Sequence, residues 1–247
     1  MSQSDQFNGR LGLIFASIGA AIGTGNIWRF PRMVGANGGG TFLIPWLIFL
    51  FAWSIPLVIA EYAMGKRSRT GTIGTFRIFA GRRFAWMGLW TAWISTAIGF
   101  YYAVVSGWTL KYFQLGITGA LSGEKVDTTE VWNAFLQSPG QVIFFQFVVI
   151  LLVLGTIWKG AKAIEKVNFY LMMSLFALLF LTLFLSLWMD LSDGSLDGAL
   201  FMFTVDFDML LEPEVWINGL SQSAWSCSAG MGMCITYAVY MSKDCLL

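Results

Sequence analysis

The sequence predicts an all-α integral membrane protein with about six transmembrane helices. Three observations support this fold class: an apolar composition, six long apolar stretches, and connections that alternate in charge. Hydrophobic residues make up 57% of the 247 residues and charged residues 12%, about half the charged fraction of a soluble domain. A water-soluble core of this size cannot bury so much apolar surface, so we expect the excess to face a lipid bilayer.

Six stretches are apolar enough and long enough to span about 30 Å of hydrocarbon. We treat them as one membrane domain that covers residues 1–247. The predicted spans are approximately 11–35, 41–64, 85–112, 141–158, 167–189 and 214–241. The first is interpreted as a retained helix and not as a signal peptide, because only Arg10 precedes it and no small-residue cleavage site follows.

The connections between these stretches differ in charge. Segment 66–83 contains six basic residues and no acid, and segment 159–166 contains three lysines and one glutamate. Segment 190–214 contains seven acidic residues and no base. Because basic connections favour the cytoplasm, we expect a multi-pass protein of the plasma membrane with both termini cytoplasmic.

Some function classes are disfavoured by the residues that the sequence lacks. It contains no histidine, the residue that most often serves as a general base or a metal ligand. Glu61 is the only acid clearly embedded in a predicted span. We therefore expect neither an enzyme nor an organic cofactor. The basic residues form no patch interleaved with aromatic residues, so we expect no nucleic-acid partner.

The first and sixth spans carry small and polar residues near mid-membrane. Residues 19–26 include three glycines, Thr24 and Asn26, and residues 221–232 include four serines, Gln222 and two glycines. Close packing of intact helices also uses small residues, and spacing alone leaves that alternative open. Alternating glycines lower helix propensity, and broken helices in a membrane line cavities. We therefore predict two helices broken at mid-membrane, whose freed backbone groups bind a zwitterion and a small cation.

Several motifs resemble those of a known family. They are RLGLI at 10–14, GAAIGTGN at 19–26, NIWRFP at 26–31, NGGGTFLIPW at 37–46 and EYAMG at 61–65. These motifs resemble the neurotransmitter:sodium symporter family, whose structural model is the bacterial leucine transporter. The resemblance runs from about Arg10 to Asp244. It implies a sodium-coupled amino-acid symporter that works by alternating access, with the chain supplying the first inverted repeat plus the first helix of the second.

The resemblance implies two sites for co-transported sodium ions. Oxygens of Ala21, Asn26 and Ser226 would form part of the first site, and a substrate carboxylate would complete it. Backbone carbonyls of Gly19 and Ile22 would form the first-helix share of the second site. Because the substrate carboxylate is a ligand of the first ion, this arrangement would couple ion binding to substrate binding.

The resemblance also implies a substrate site between the first, third and sixth helices. Its implied residues are Ala20, Ala21, Thr24, Gly25, Ile98, Tyr102, Trp225, Ser226, Ser228 and Met231. Amides at Thr24 and Gly25 and the hydroxyl of Tyr102 would hold the substrate carboxylate. Family members that carry monoamines have an acid in the first-helix break, where this sequence has Gly23. The substrate is therefore expected to bring its own carboxylate, as an amino acid does.

Some of these residues have simpler interpretations. Arg29 would be the extracellular gate, but a basic residue at a membrane interface can also direct its charge into water. Tyr102 would be an interfacial anchor in the alternative reading, and Ser226 and Ser228 would bond to their own helix. Glu61 is interpreted as a structural partner for freed backbone amides and not as a transport residue.

The sequence supplies about half of the helices that the resemblance implies. The family's seventh and eighth helices, which complete the sodium sites, have no counterpart in it. We therefore expect an N-terminal half that does not transport alone and whose partners are an amino acid, the lipid bilayer and a missing C-terminal half. The alternative is a non-transporting membrane scaffold or regulatory subunit, which predicts intact first and sixth helices.

Overall fold

A computed structural model of the chain describes residues 14–15, 17–19, 21–22, 25–122, 126–158, 160–192 and 196–241. Among these residues the regular secondary structure is entirely helical, which confirms the predicted all-α class. The predictions made for Ala20, Gly23 and Thr24 lie outside the described residues.

The first predicted span changes its backbone geometry along its described part. Residues 17–19 are helical and the chain bends at Ile22, whereas Gly25–Arg29 form a π-helical turn that leads into α1 (Phe30–Ala36). The chain then reverses at Gly38, where φ is 75°. Glycine adopts this positive angle without steric cost.

The second span is a continuous stretch of helix with a local irregularity. It consists of α2 (Gly40–Phe49), a π-helical turn (Leu50–Ser54) and α3 (Ile55–Ser68). In the turn, the amide of Ile55 donates to the carbonyl of Leu50, five residues back. Pro56 follows at once and has no amide hydrogen to continue the regular pattern, which accounts for the shift in hydrogen bonding.

The basic connection contains a helix that was not predicted. This helix, α4 (Gly71–Phe79), packs against the long α5 (Ala85–Ile117). Arg69 lies just before α4 and donates from one guanidinium nitrogen to the carbonyls of Val239 and Met241. The connection therefore contacts the far end of the sixth predicted span.

Three further helices follow α5. The short α6 (Thr128–Leu136) is capped by Asp127, whose Oδ1 accepts from the amide of Thr129 at 2.8 Å. It is followed by α7 (Pro139–Ile157) and α8 (Ala161–Ser192), both rich in exposed apolar side chains.

The acidic connection and the sixth span close the described chain. A short helix, α9 (Asp197–Phe201), is followed by a segment whose backbone lies against Gly40. A Cβ added at Gly40 would lie 2.7 Å from the carbonyl oxygen of Thr204. The sixth span consists of two separate helices, α10 (Pro213–Cys227) and α11 (Met233–Val239). The first packs along α2 and the second along α3.

Four helical stretches among the described residues are long and apolar enough to cross a membrane. They are Gly40–Ser68, Arg82–Ile117, Pro139–Ile157 and Ala163–Ser192. The sixth predicted span does not reach that length because it is divided into two helices, and the first predicted span lies partly outside the described residues.

Candidate functional site

The backbone between α10 and α11 leaves the helical conformation. Ser228, Gly230 and Gly232 have φ angles of 54°, 79° and 72°, in the left-handed region that commonly ends a helix. Because α10 packs on α2 and α11 on α3, the interruption lies between two supported half-helices. Its amides and carbonyls are released from helical hydrogen bonding and can take other partners.

Two side chains from neighbouring helices hold this interruption. Oε1 of Glu61 on α3 accepts from the amide of Gly232 at 3.3 Å. Oγ of Ser95 on α5 donates to the carbonyl of Met231 at 2.5 Å. The first contact confirms that Glu61 is a structural partner of a freed backbone amide, whereas Ser95 was not predicted.

Asn26 joins the first and sixth spans. Its Nδ2 donates to the carbonyl oxygen of Ala21 at 2.9 Å and to that of Ser226 at 3.3 Å. The two carbonyl oxygens use lone pairs in these hydrogen bonds that could instead bind a cation. If the side-chain amide of Asn26 were turned by 180°, its Oδ1 would take the place of Nδ2 and would be a further cation ligand. The structure therefore brings together the three residues for which the first sodium site was predicted.

A cavity of about 370 Å³ lies between the first, third and sixth spans, within the usual size range of small-molecule sites. Predicted site residues form most of its wall: Gly19, Ala21, Ile98, Tyr102, Trp225, Ser228 and Met231. Three further residues of the wall, Ser95, Gly99 and Met233, were not predicted.

A second cavity of about 480 Å³ adjoins the first and shares Ile98, Tyr102 and Trp225 with it. Arg29 lies in its wall and binds α10 through two hydrogen bonds. Its Nη1 donates to Oε1 of Gln222 at 2.5 Å, and its Nη2 donates to Oγ of Ser221 at 3.2 Å. The guanidinium therefore pairs with neutral polar groups of the sixth span.

The structure describes two of the four remaining predicted residues. Gly25 begins the π-helical turn, and Ile22 ends the preceding helical segment with its amide donating to the carbonyl of Ile18 at 2.7 Å. Ala20 and Thr24 lie outside the described residues. The roles assigned to these four positions stay predictions.

A local sequence signal existed for two of the residues that were missed. Ser95 and Gly99 lie on the same face of α5 as Ile98 and Tyr102, because positions i, i+3, i+4 and i+7 of a helix lie together. No local signal pointed to Gln222 as a partner of Arg29, since that contact joins residues 193 positions apart.

A family model described as the Sodium:neurotransmitter symporter family matches residues 4–139 and 135–246. An uncharacterized sodium-dependent transporter of Bacillus subtilis, YhdH, is 32% identical over 244 residues, which are 96% of this chain and 52% of that protein. The sodium-dependent neutral amino acid transporter SLC6A17 of Rattus norvegicus is 32% identical over 270 residues, covering 96% of this chain and 36% of the relative.

The fold is similar to that of a solved structure. The crystal structure of MhsT in complex with L-phenylalanine matches with a TM-score of 0.86 and 34% sequence identity, covering 97% of this chain and 54% of that chain. The chain thus spans about half the length of MhsT and YhdH and about a third of SLC6A17. The two relatives named above are transporters by name, which fits the expectation that the chain is not an enzyme.

Proposed function

The chain belongs to the sodium:neurotransmitter symporter family, and from that premise we propose that it is the N-terminal half of a sodium-coupled amino-acid symporter. The family resemblance predicted from its motifs is confirmed, and its long apolar helices fit a multi-pass membrane protein. One observation carries the proposal. Asn26 contacts the carbonyls of Ala21 and Ser226, and so joins the first and sixth spans where sodium was predicted to bind.

The proposed sodium ligands are oxygen atoms, which hard cations prefer. Ala21, Asn26 and Ser226 would supply three of them at the first site, and the substrate carboxylate would supply another. Carbonyls of Gly19 and Ile22 would contribute to a second site. Interrupted helices suit this role, because their free carbonyls carry partial negative charge. They can therefore bind a cation without a fully charged side chain in the membrane.

The cavity between the first, third and sixth spans supports an amino acid as the substrate. The hydroxyl of Tyr102 would bind the carboxylate, Ser228 would lie near the amine, and Ile98, Trp225 and Met231 would surround the side chain. The MhsT structure holds L-phenylalanine, which supports a ligand of this class for a similar fold.

Arg29 is proposed as the extracellular gate. Its hydrogen bonds to Ser221 and Gln222 join the first and sixth spans beside the second cavity. Opening a path to the substrate site from that side would require these contacts to separate. The guanidinium would therefore move whenever the two spans move apart.

Transport is proposed to require more helices than the chain contains. Alternating access moves one structural repeat against the other around a central site, and the chain spans about half the length of MhsT. The proposed setting is the plasma membrane, with both termini cytoplasmic and the basic connections on that side.

The proposal is tested by measuring amino-acid binding in sodium and in choline, with the chain alone and with the chain extended by the remaining helices. We expect the extended protein to bind amino acids only in sodium, and the chain alone to bind none. Equal binding in choline would contradict sodium coupling. Absence of binding by both proteins would favour the non-transporting scaffold.

A further inference from the structure

Ser95 lies in the α5 wall of the cavity proposed for the substrate side chain. The other residues of this wall are Ile98, Gly99 and Tyr102. A Cβ atom added at Gly99 would meet no atom within 4 Å outside its own helix backbone, so this side of the cavity has room for a large group. Ser95 and Tyr102 are the hydroxyl-bearing residues on the α5 side of the cavity.

Ser95 and Glu61 hold opposite ends of the same peptide unit. Ser95 donates to the carbonyl of Met231 at 2.5 Å, and the amide of Gly232, which belongs to the same unit, donates to Glu61 at 3.3 Å. In a trans peptide the C=O and N–H bonds point in opposite directions. The unit is therefore fixed between α5 on one side and α3 on the other.

Without these contacts the segment from Gly230 to Gly232 would be less restrained. Gly230 and Gly232 flank Met231 and have the least restricted backbone of any residue type. Turning of both peptide units that flank Met231 would move its side chain, which is 9% exposed and lies in the cavity wall. Ser95 thus controls a side chain of the cavity through the backbone to which that side chain is attached.

We propose that Ser95 is a positioning residue that holds Met231 back from the cavity and so makes room for a bulky apolar amino-acid side chain. The proposal rests on the proposed function. The apolar class follows from Ile98, Trp225, Met231 and Met233 in the wall. When the hydroxyl is lost, Met231 can turn into the cavity, and a bulky ligand loses more contact space than a small one.

The first test compares sodium-dependent binding of phenylalanine and alanine by the full-length transporter. Ser95→Ala should weaken phenylalanine binding about threefold to tenfold, the range expected for one lost hydrogen bond, and alanine binding less than about twofold. Ser95→Thr keeps the donor and should keep the ratio. Thr96→Ala is the matched control, since Thr96 is exposed and bonds the carbonyl of Ala92 in its own helix. An equal loss for both amino acids would overturn the selectivity role.

The second test needs no substrate. Amide hydrogen exchange of residues 228–236 should be faster in Ser95→Ala than in the wild type, and unchanged in Ser95→Thr and Thr96→Ala. Unchanged exchange in Ser95→Ala would overturn the positioning role. If the wild type binds no amino acid while Ser95→Ala still exchanges faster, the proposed function and the selectivity fail, and the restraint on the peptide unit stands.

Discussion

The paired interior helices and the outer helix α7 differ in the residues that they bury. Where α2, α3 and the π-helical turn between them meet α10 and α11, the buried side chains include Thr41, Ser54, Glu61, Gln222 and Ser223. In α7 no residue is buried, and its leucines, isoleucines and phenylalanines are mostly exposed. Lipid is as apolar as leucine, so apolar side chains gain little by turning inward. In this protein small and polar residues therefore mark helix contacts, and long apolar runs mark the lipid surface.

The largest predicted change in unfolding free energy comes from replacing a glycine where helices pack closely, in contrast to a glycine on α7. A Cβ added at Gly65 on α3 would lie 2.3 Å from the carbonyl oxygen of Ile235 on α11, whereas one added at Gly155 on α7 would meet nothing within 4 Å. Gly65→Ala should lower the free energy of unfolding by about 3 kcal/mol, because two packed backbones must separate. Gly155→Ala should raise it by up to about 1 kcal/mol. Unfolding in detergent micelles measures both, and equal effects would contradict the comparison.

Removing a buried hydrogen-bond acceptor should have the next largest effect. Glu61→Ala leaves the amide of Gly232 without its carboxylate partner and should cost about 1–3 kcal/mol of unfolding free energy. Glu130→Ala on the exposed α6 is the control and should cost less than about 1 kcal/mol. The two variants can be compared by thermal unfolding in the same micelles. A loss no greater for Glu61→Ala than for the control would contradict the structural role of Glu61.

The hydroxyl pair between the π-helical turn (Leu50–Ser54) and α10 should have a smaller effect. Oγ of Ser54 donates to Oγ of Ser223 at 2.9 Å, and both residues are fully buried. A double-mutant cycle of Ser54→Ala and Ser223→Ala should give a coupling energy of about 0.6 kcal/mol, the average for such contacts between membrane helices. Thr156→Ala on α7 should show no coupling with Ser223→Ala, since Thr156 bonds the carbonyl of Leu152 in its own helix.

The smallest effect is expected on the lipid surface. Leu152 on α7 is 62% exposed, so Leu152→Ala exchanges one apolar contact with lipid for another and should change the unfolding free energy by less than about 0.5 kcal/mol. Thermal unfolding in lipid nanodiscs is the appropriate measurement. A loss of about 2 kcal/mol or more, as in a soluble core, would show that protein covers this face.

The all-α class followed from the sequence because transmembrane helices need long apolar runs, which are visible without tertiary information. The interruption in the sixth span had a local signal as well, in the glycines and serines of residues 221–232. The family motifs then pointed to residues such as Ala21, Trp225 and Met231, which the structure places in one cavity wall.

Other features depended on contacts between distant parts of the chain. The helix α4 lies in a basic connection that composition alone presents as a loop, and it packs against α5. The pairing of Arg29 with Gln222 and of Ser95 with the carbonyl of Met231 joins residues more than 100 positions apart. Such pairs are fixed by the packing of helices, and no local pattern encodes them.

The central proposal is that Asn26, together with backbone groups of the first and sixth spans, binds the sodium ion that couples to the substrate. The direct measurement is the sodium concentration at half-maximal amino-acid binding by the full-length transporter. Asn26→Ala should raise this concentration at least about tenfold, equivalent to about 1.4 kcal/mol. Asn133→Ala, on the exposed surface of α6, should leave it unchanged. The same sodium dependence in Asn26→Ala and in the wild type would contradict the account.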